Sequence, residues 1–444
     1  MKLSSKFTNL LRSSILKKFL ENQMVEERTY FILTLITGIS AALVAVALHK
    51  VTKYLTMMLG TSDSFTLRAF IGGGVALLIS GYITTRKYPS TSGSGIPGVK
   101  IALAVYHGKI TYRSTIAKFI TSILSLSSGF SLGREGPTVA ITSGIGSALG
   151  SFFHLSNRRI KSLVAIGSAG GIAAAFNTPI AAVVFTLEEV VGDLNAKMLG
   201  SIVISSVIAS VVAQALQGNV STFAELNYQL NDSREIILYA FVGIAAALIG
   251  TLWVNSVLAF RKWGPKIFRN HRLSLIMSVF GIISLISYIN PQTLGSGHDT
   301  IENTLLSLIL DWKVLLSLFA FKFIATTLCY GSGVSGGLFM PTLLMGATLG
   351  GLIGSVAKIV FPELAANTGA FALIGMGAYF AAVIRSPFTS ILLIFEMTRD
   401  YNIILPLMVA NILAYLLAEK IHHGSIYENI SEQDGIHLPS HEDN

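Results

Sequence analysis

The chain has 444 residues, 52% of them hydrophobic and 12% charged, with a formal net charge of +9 and a mean hydropathy of +0.65. Soluble domains carry about 25% charged residues, so half of the expected charge is missing and a water-solvated globule is excluded. The basic balance does not point to nucleic acid, because the basic residues gather at the ends of apolar segments, as the positive-inside bias of membrane proteins requires.

The first 28 residues hold Lys2, Lys6, Arg12, Lys17, Lys18 and Arg28, with Phe7, Leu10, Leu11, Ile15, Phe19 and Leu20 recurring every three to four positions. This spacing predicts a basic amphipathic helix on an anionic leaflet. No Ala-x-Ala site follows it, which argues against a secretory leader. Apolar stretches at 30–47, 69–83, 201–216, 236–260, 275–289, 314–328 and 403–417 can each span or nearly span a hydrocarbon core about 30 Å thick. Arg86 and Lys87, then Arg158, Arg159 and Lys161, then Arg261, Lys262, Lys266, Arg269 and Arg272 mark cytoplasmic loops. The expected organisation is an N-terminal amphipathic helix (1–28), a first membrane half (29–216), an external linker (217–235), a second membrane half (236–427) and a short cytoplasmic tail (428–444). The single cysteine, Cys329, allows no disulfide within the chain. No metal-ligand cluster is evident and no cofactor is expected.

The two halves repeat. At an offset of 204, Lys118, Gly129, Gly133, Pro137, Thr138, Gly146 and Gly150 fall on Lys322, Gly333, Gly337, Pro341, Thr342, Gly350 and Gly354. At an offset of 208, Gly167, Ala173, Ala174, Pro179 and Glu188 fall on Gly375, Ala381, Ala382, Pro387 and Glu396. Duplicated halves with Gly/Pro-interrupted apolar segments point to a transporter-like fold with its site at the repeat interface. Non-helical backbone inside a membrane is tolerated only where protein or a water-filled cavity surrounds it. Isolated glycines here would serve only close helix packing, but the paired Gly-x-x-x-Pro breaks predict re-entrant helix starts facing one cavity.

Three such starts stand out. GSGIP (93–97) sets Ser94 between Gly93 and Gly95, followed by Ile96 and Pro97. GREGP (133–137) sets Arg134, Glu135, Gly136 and Pro137 after Gly133. GGLFMP (336–341) sets Leu338 and Phe339 after Gly336 and Gly337, with Pro341 closing it. An anion in hydrocarbon needs compensation that still lets it leave, and helix N-termini supply unpaired N–H groups without a full charge.

These three motifs, in this order and spacing, resemble the CLC family of chloride channels and chloride/proton exchangers, over about 25–428. AFNTPIAAVVFTLEEV (175–190) and the late GSIYENI (424–430) belong to the resemblance. It implies an all-α membrane protein with about eighteen helical segments in two inverted halves, meeting at a mid-membrane anion site. It also implies a multi-pass homodimer of the prokaryotic type without cytoplasmic regulatory domains, in a bacterial inner membrane, with both termini cytoplasmic. Carried over by motif, Ser94 and Tyr427 donate hydroxyls to chloride, and Leu338 and Phe339 donate backbone N–H groups. Glu135 is the gating glutamate, and Glu189 the internal proton-transfer glutamate. Glu188, with its repeat partner Glu396, is expected to be structural, whereas Met397 falls opposite Glu189. The chain departs from the best-known exchangers at Gly98-Val99-Lys100, where some carry an acid. Lys118 and Lys322 could pair with acids, raise the potential of the pathway or snorkel to an interface.

The implied function is exchange of chloride for protons, with a passive chloride channel as the alternative. A fluoride or nitrate preference fits Ser94 less well. Two motifs point elsewhere and fail. The run 93–98 satisfies G-x-G-x-x-G but lacks a preceding strand and a following acid. The run 333–337 satisfies G-x-S-x-G, but an intramembrane serine hydrolase would need a histidine beside Ser335, and the histidines lie near segment ends, in loops or in the tail. The chain is therefore not expected to be an enzyme.

Overall fold

A computed structural model describes residues 3–61, 66–193, 198–218, 234–269, 271–309, 311–362, 364 and 367–438, with side chains described from residue 26 onward. The expected external linker falls almost wholly on 219–233, outside the described residues, as does the end of the tail, 439–444. The predicted amphipathic pattern at 1–28, apart from Arg28, also lies outside the described side chains.

Among the described residues the chain forms seventeen α-helices. The first half contains α1 (Leu3–Leu59), α2 (Leu67–Tyr82), α3 (Ile96–Ala104), α4 (Tyr112–Ser127), α5 (Glu135–Phe152), α6 (Asn157–Phe176), α7 (Pro179–Phe185) and α8 (Leu199–Gln217). The second contains α9 (Glu235–Ile267), α10 (Arg272–Ile289), α11 (His298–Leu305), α12 (Trp312–Gly331), α13 (Phe339–Val360), α14 (Thr368–Ile384), α15 (Pro387–Thr398), α16 (Ile404–Ile421) and α17 (Ile426–Gln433). The expected all-α membrane architecture in two inverted halves is the observed one. Nine helical stretches among the described residues are long and apolar enough to cross a membrane.

Two of those stretches, Asn157–Phe176 and Phe339–Val360, are absent from the apolar runs picked out above. Their apolar windows are 83% and 61% buried inside the protein, against 33% for Leu199–Gln217. Lipid-facing helices must be apolar, as the exposed Val203, Val207 and Val211 of α8 show. Helices that face only other helices can use Gly, Ser and Thr to approach closely. Gly167 of α6 does so: a Cβ there would meet the Thr142 carbonyl carbon at 2.8 Å and the Ser143 nitrogen at 3.0 Å.

The inverted repeat is visible as reciprocal bonding. Gly133 and Gly337, equivalent at offset 204, form an antiparallel bridge in which each N–H donates to the other's carbonyl, at 2.8 and 2.6 Å. A residue paired with its own repeat equivalent lies on the pseudo-two-fold axis. Glu188 accepts from the N–H groups of Phe388 and Thr389 at 3.2 and 2.8 Å. Glu396 accepts from those of Ile180 and Ala181 at 3.0 and 2.7 Å. Each carboxylate thus caps the helix that opens the other half's Pro179 or Pro387 segment, where N–H groups have no intrahelical acceptor. The structural role expected for Glu188 is a reciprocal helix cap.

Lys118 and Lys322 obey the same symmetry and do not snorkel. They are 3% and 0% exposed. Lys118 Nζ donates to the carbonyls of Thr91 and Gly93 at 2.9 and 2.6 Å. Lys322 Nζ donates to those of Thr293 and Gly295 at 3.0 and 2.8 Å. The acceptors reveal a third repeat block, at offset 202, that the sequence comparison missed: PSTSGSG (89–95) over PQTLGSG (291–297). Each lysine staples the loop ahead of a short helix, α3 in one half and α11 in the other.

Candidate functional site

Three helix starts converge at the axis, held by backbone pairing. Gly93 N–H donates to the Val334 carbonyl at 2.9 Å, and Gly336 N–H donates to the Gly93 carbonyl at 3.0 Å. With the Gly133–Gly337 bridge, these bonds tie 93–97, 133–137 and 336–341 into one cluster. Gly95 has φ +91°, a left-handed conformation that lets the loop turn directly into α3, where Pro97 occupies the first turn. Its small size also matters: a Cβ on Gly95 would meet the Ala140 Cβ at 2.5 Å.

The first intrahelical bonds of α3, α5 and α13 are Val99 N–H to Gly95, Thr138 N–H to Arg134 and Thr342 N–H to Leu338. Preceding N–H groups therefore remain for a ligand or a side chain. In α3 that of Ile96 donates to Ser94 Oγ at 3.2 Å. In α5 and α13 those of Arg134, Glu135 and Met340 face the Glu135 carboxylate. Glu135 is 3% exposed, and its Oε2 has no hydrogen-bond partner of proper geometry among the described residues. Arg134 Nε lies 3.8 Å from its Oε1.

Ser94, 1% exposed, abuts this start closely: a Cβ on Gly136 would lie 2.9 Å from Ser94 Cβ and 3.3 Å from its Oγ. Leu338 and Phe339 are 0% and 1% exposed. The Phe339 ring is locked among Phe176, Phe185 and Phe380 at centroid distances of 4.8, 5.6 and 4.7 Å. That packing fixes the first turn of α13. Tyr427 is fully buried in the first turn of α17, and its hydroxyl finds no partner among the described residues. Its electrostatic neighbours are Tyr330, Glu189 and Glu135. Ser94, Glu135, Leu338, Phe339 and Tyr427 are therefore drawn together from four distant stretches of sequence. Sequence reasoning missed Tyr330, whose hydroxyl stands 3.5 Å from the Ser94 nitrogen.

Glu189 lies in a π-helical turn, Thr186–Val191, that continues α7. Such turns widen a helix and are frequent at functional sites. The carboxylate does not sit at a water-washed helix end: it is 3% exposed. Its Oε1 accepts from Lys100 Nζ at 2.8 Å and from Ser425 Oγ at 2.9 Å. Ser386 Oγ stands 3.5 Å from Oε2. Lys100, from the run Gly98-Val99-Lys100 noted above, is thus its ion-pair partner.

A basic cavity of about 370 Å³ opens behind the cluster, lined by Ser92, Arg261, Lys262, Arg272 and Gly333 among others. Ser92 Oγ donates to the Gly333 carbonyl at 2.7 Å, so this cavity borders the Gly93 loop. Ser335 offers no hydrolase nucleophile. It is fully buried and its hydroxyl pairs with Ser122 Oγ at 2.8 Å rather than with a histidine. Among the described residues, no group of three or more His, Cys, Asp or Glu is placed to hold a metal ion.

The chain matches the family model described as "Voltage gated chloride channel" over residues 75–419. It is 32% identical over 430 residues to an H(+)/Cl(-) exchange transporter ClcA of Vibrio cholerae serotype O1, covering 94% of this chain and 92% of that relative. It is 31% identical over 405 residues to the ClcA of Vibrio campbellii, covering 89% and 86%. A slow cyanobacterial Cl-/H+ antiporter superposes with a TM-score of 0.80 at 25% identity, covering 91% of this chain and 97% of that one. A CLC-type fluoride/proton antiporter superposes with a TM-score of 0.77 at 21% identity, covering 90% and 97%. With three broken helix starts meeting on a pseudo-two-fold axis and a family match across most of its length, the chain belongs to the CLC family of membrane transport proteins.

Proposed function

We propose that the chain exchanges chloride for protons, with Glu135 as a movable gate and Glu189 as the internal proton-transfer group. The observation that carries this reading is the seat of Glu135. Its carboxylate lies over N–H groups of two opposed helix starts, where a chloride would need to sit, and one of its oxygens lacks a partner. A carboxylate and a chloride compete for the same donors, so protonating Glu135 frees the seat for chloride. The hydroxyls of Ser94 and Tyr427 and the N–H groups of Leu338 and Phe339 supply further donors. Gly93, Gly95, Ile96, Pro97, Gly133, Arg134, Gly136, Pro137, Gly336, Gly337 and Pro341 shape these helix starts. The donors at the helix starts are amide N–H groups and hydroxyls, and the Arg134 guanidinium stands 3.8 Å from the Glu135 carboxylate rather than hydrogen-bonded to it, which keeps binding weak enough for release.

The exchanger reading is favoured over a passive channel by Glu189. Burying a carboxylate in the membrane costs about 2.5–3.5 kcal/mol on insertion scales, and anion conduction alone needs no such group. The names of the Vibrio relatives and of the cyanobacterial structure point the same way. A homodimer with one pathway per subunit, placed in a bacterial inner membrane with cytoplasmic termini, completes the proposal. Its orientation rests on Arg158, Arg159, Lys161, Arg261 and Lys262 at helix ends.

Reconstitution in liposomes with a chloride gradient and a pH electrode tests it. The parent should drive protons against their gradient. Glu135→Gln and Glu189→Gln should each abolish proton movement while chloride still flows. A parent that moves chloride but no protons is a channel, and the exchange reading is then wrong.

A further inference from the structure

We propose that Glu428, acting through Lys100, is the port by which protons from the water at the C-terminal face reach Glu189; this rests on the exchange reading above. Glu189 has a side chain only 4% exposed, whereas that of Glu428 is 29% exposed. Lys100 Nζ bridges them, 2.8 Å from Glu189 Oε1 and 3.0 Å from Glu428 Oε1. Its own side chain is 9% exposed. The three residues come from the π turn after α7, from α3 and from α17, so no local structural demand explains their meeting.

The charge count gives the cluster its chemistry. One ammonium between two carboxylates leaves a net charge of −1, which a single added proton neutralises. The relay balances as follows. Water delivers a proton to Glu428. Lys100 passes an ammonium proton to Glu189 and takes the one from Glu428. Lys100 is again an ammonium, Glu428 is again ionised, and Glu189 is neutral and loaded. Among the described residues, the other polar and titratable groups around the cluster include Ser425, Ser386 and Tyr427 near Glu189, and Arg385 and Tyr415 near Glu428. Arg385 is itself paired with Glu419 at 3.0 Å.

Glu428 also has a structural duty, and the test separates the two. It closes the capping box of α17: Ser425 N–H donates to its Oε2 at 3.1 Å and its own N–H donates to Ser425 Oγ at 3.2 Å. Glutamine serves that box as well as glutamate, so Glu428→Gln keeps the cap and Tyr427's position while removing the proton carrier. Lys100→Arg keeps the charge and the bridge but cannot give up a proton at working pH.

Chloride and proton fluxes are measured together in liposomes for the parent, Glu189→Gln, Glu428→Gln and Lys100→Arg. The expected result for both Glu428→Gln and Lys100→Arg is at least an about tenfold fall in protons moved per chloride, with chloride flux retained. An unchanged proton-to-chloride ratio in Glu428→Gln overturns the port. So does a parallel loss of both fluxes, which marks a cap alone. Full proton transport in Lys100→Arg overturns the relay through Lys100. If Glu189→Gln itself still moves protons, the proton-transfer role of Glu189 fails, and the port with it; if the parent moves no protons, the exchange reading itself fails. If Glu189→Gln is proton-silent and Glu428→Gln is not, only the port fails.

Discussion

A methyl group on Gly133 would contest the seat of Glu135 without altering its chemistry. A Cβ built there falls on Glu135 Oε2, well inside contact distance, and lies 3.3 Å from both the nitrogen and the Cβ of Met340. The Met340 backbone belongs to the first turn of α13, which the paired bonds between Gly133 and Gly337 hold in place. The carboxylate is the softer neighbour, so it must retreat by about 1 Å to reach ordinary van der Waals separation. Among the described residues Oε2 has no hydrogen bond of proper geometry to lose, and a chloride in the same seat is bulkier than a carboxylate oxygen and meets the same methyl. Overpacking of this kind costs about 1–3 kcal/mol, or roughly 5- to 150-fold in affinity. Calorimetric titration of purified Gly133→Ala with chloride should therefore show weaker binding than the parent, and chloride flux in liposomes should fall. Gly351→Ala, whose Cβ would meet Thr304 Cγ2 at 3.2 Å away from the site, is the control. A folded Gly133→Ala with the parent's chloride affinity and flux would refute the idea that Glu135 and chloride share one seat.

The scaffold makes its own predictions. Lys322→Met should leave the Thr293 and Gly295 carbonyls buried without their donor; at about 1–3 kcal/mol for each such group, thermal unfolding in detergent should begin well below the parent's. Gly350→Ala should be severely destabilising, because its Cβ would strike the Phe371 carbonyl and lie 2.9 Å from Gly375 Cα; size-exclusion profiles after mild heating would show it, and a parent-like profile would refute the packing assignment. Glu396→Gln should cost about 0.5–1 kcal/mol by weakening the charged cap on α7 and leave the proton-to-chloride ratio unchanged, whereas a changed ratio would give that carboxylate a place in transport.

What the sequence made legible followed from chemistry that needs particular residues. Gly133, Pro137, Gly337 and Pro341 announced themselves because broken helices require Gly and Pro, and the breaks recur at one offset. What stayed hidden involved partners without sequence identity. Lys118 and Lys322 are satisfied by backbone carbonyls, which every residue carries, so no motif could name them. The PSTSGSG and PQTLGSG blocks could have been found, since Pro, Thr, Gly, Ser and Gly recur at one offset. They sit outside the longer aligned runs and share too few residues to stand out. The Lys100 cluster needed contacts between positions 100, 189 and 428, and the run Gly98-Val99-Lys100 was visible only as a departure from a pattern. Asn157–Phe176 and Phe339–Val360 were overlooked as spans because close packing, not lipid, chose their residues.

The pseudo-symmetry itself separates scaffold from chemistry. Where the two halves agree, the residues hold the fold: Gly133 with Gly337 on the axis, Lys118 with Lys322 under the loops, Glu188 with Glu396 on the opposite helix ends. Where they disagree, a two-fold scaffold has been made directional. Glu135 faces Phe339 across the axis, so one helix start presents a carboxylate and the other only amide dipoles locked in place by a packed ring. Glu189 corresponds to Met397, so at that position the first half buries an acid and the second an apolar residue. A symmetric site would hold an anion equally from both faces and could not tell a proton's direction of approach from its direction of exit. Exchange requires that inequality, and the chain keeps it at the positions where a carboxylate in one half meets an apolar residue in the other.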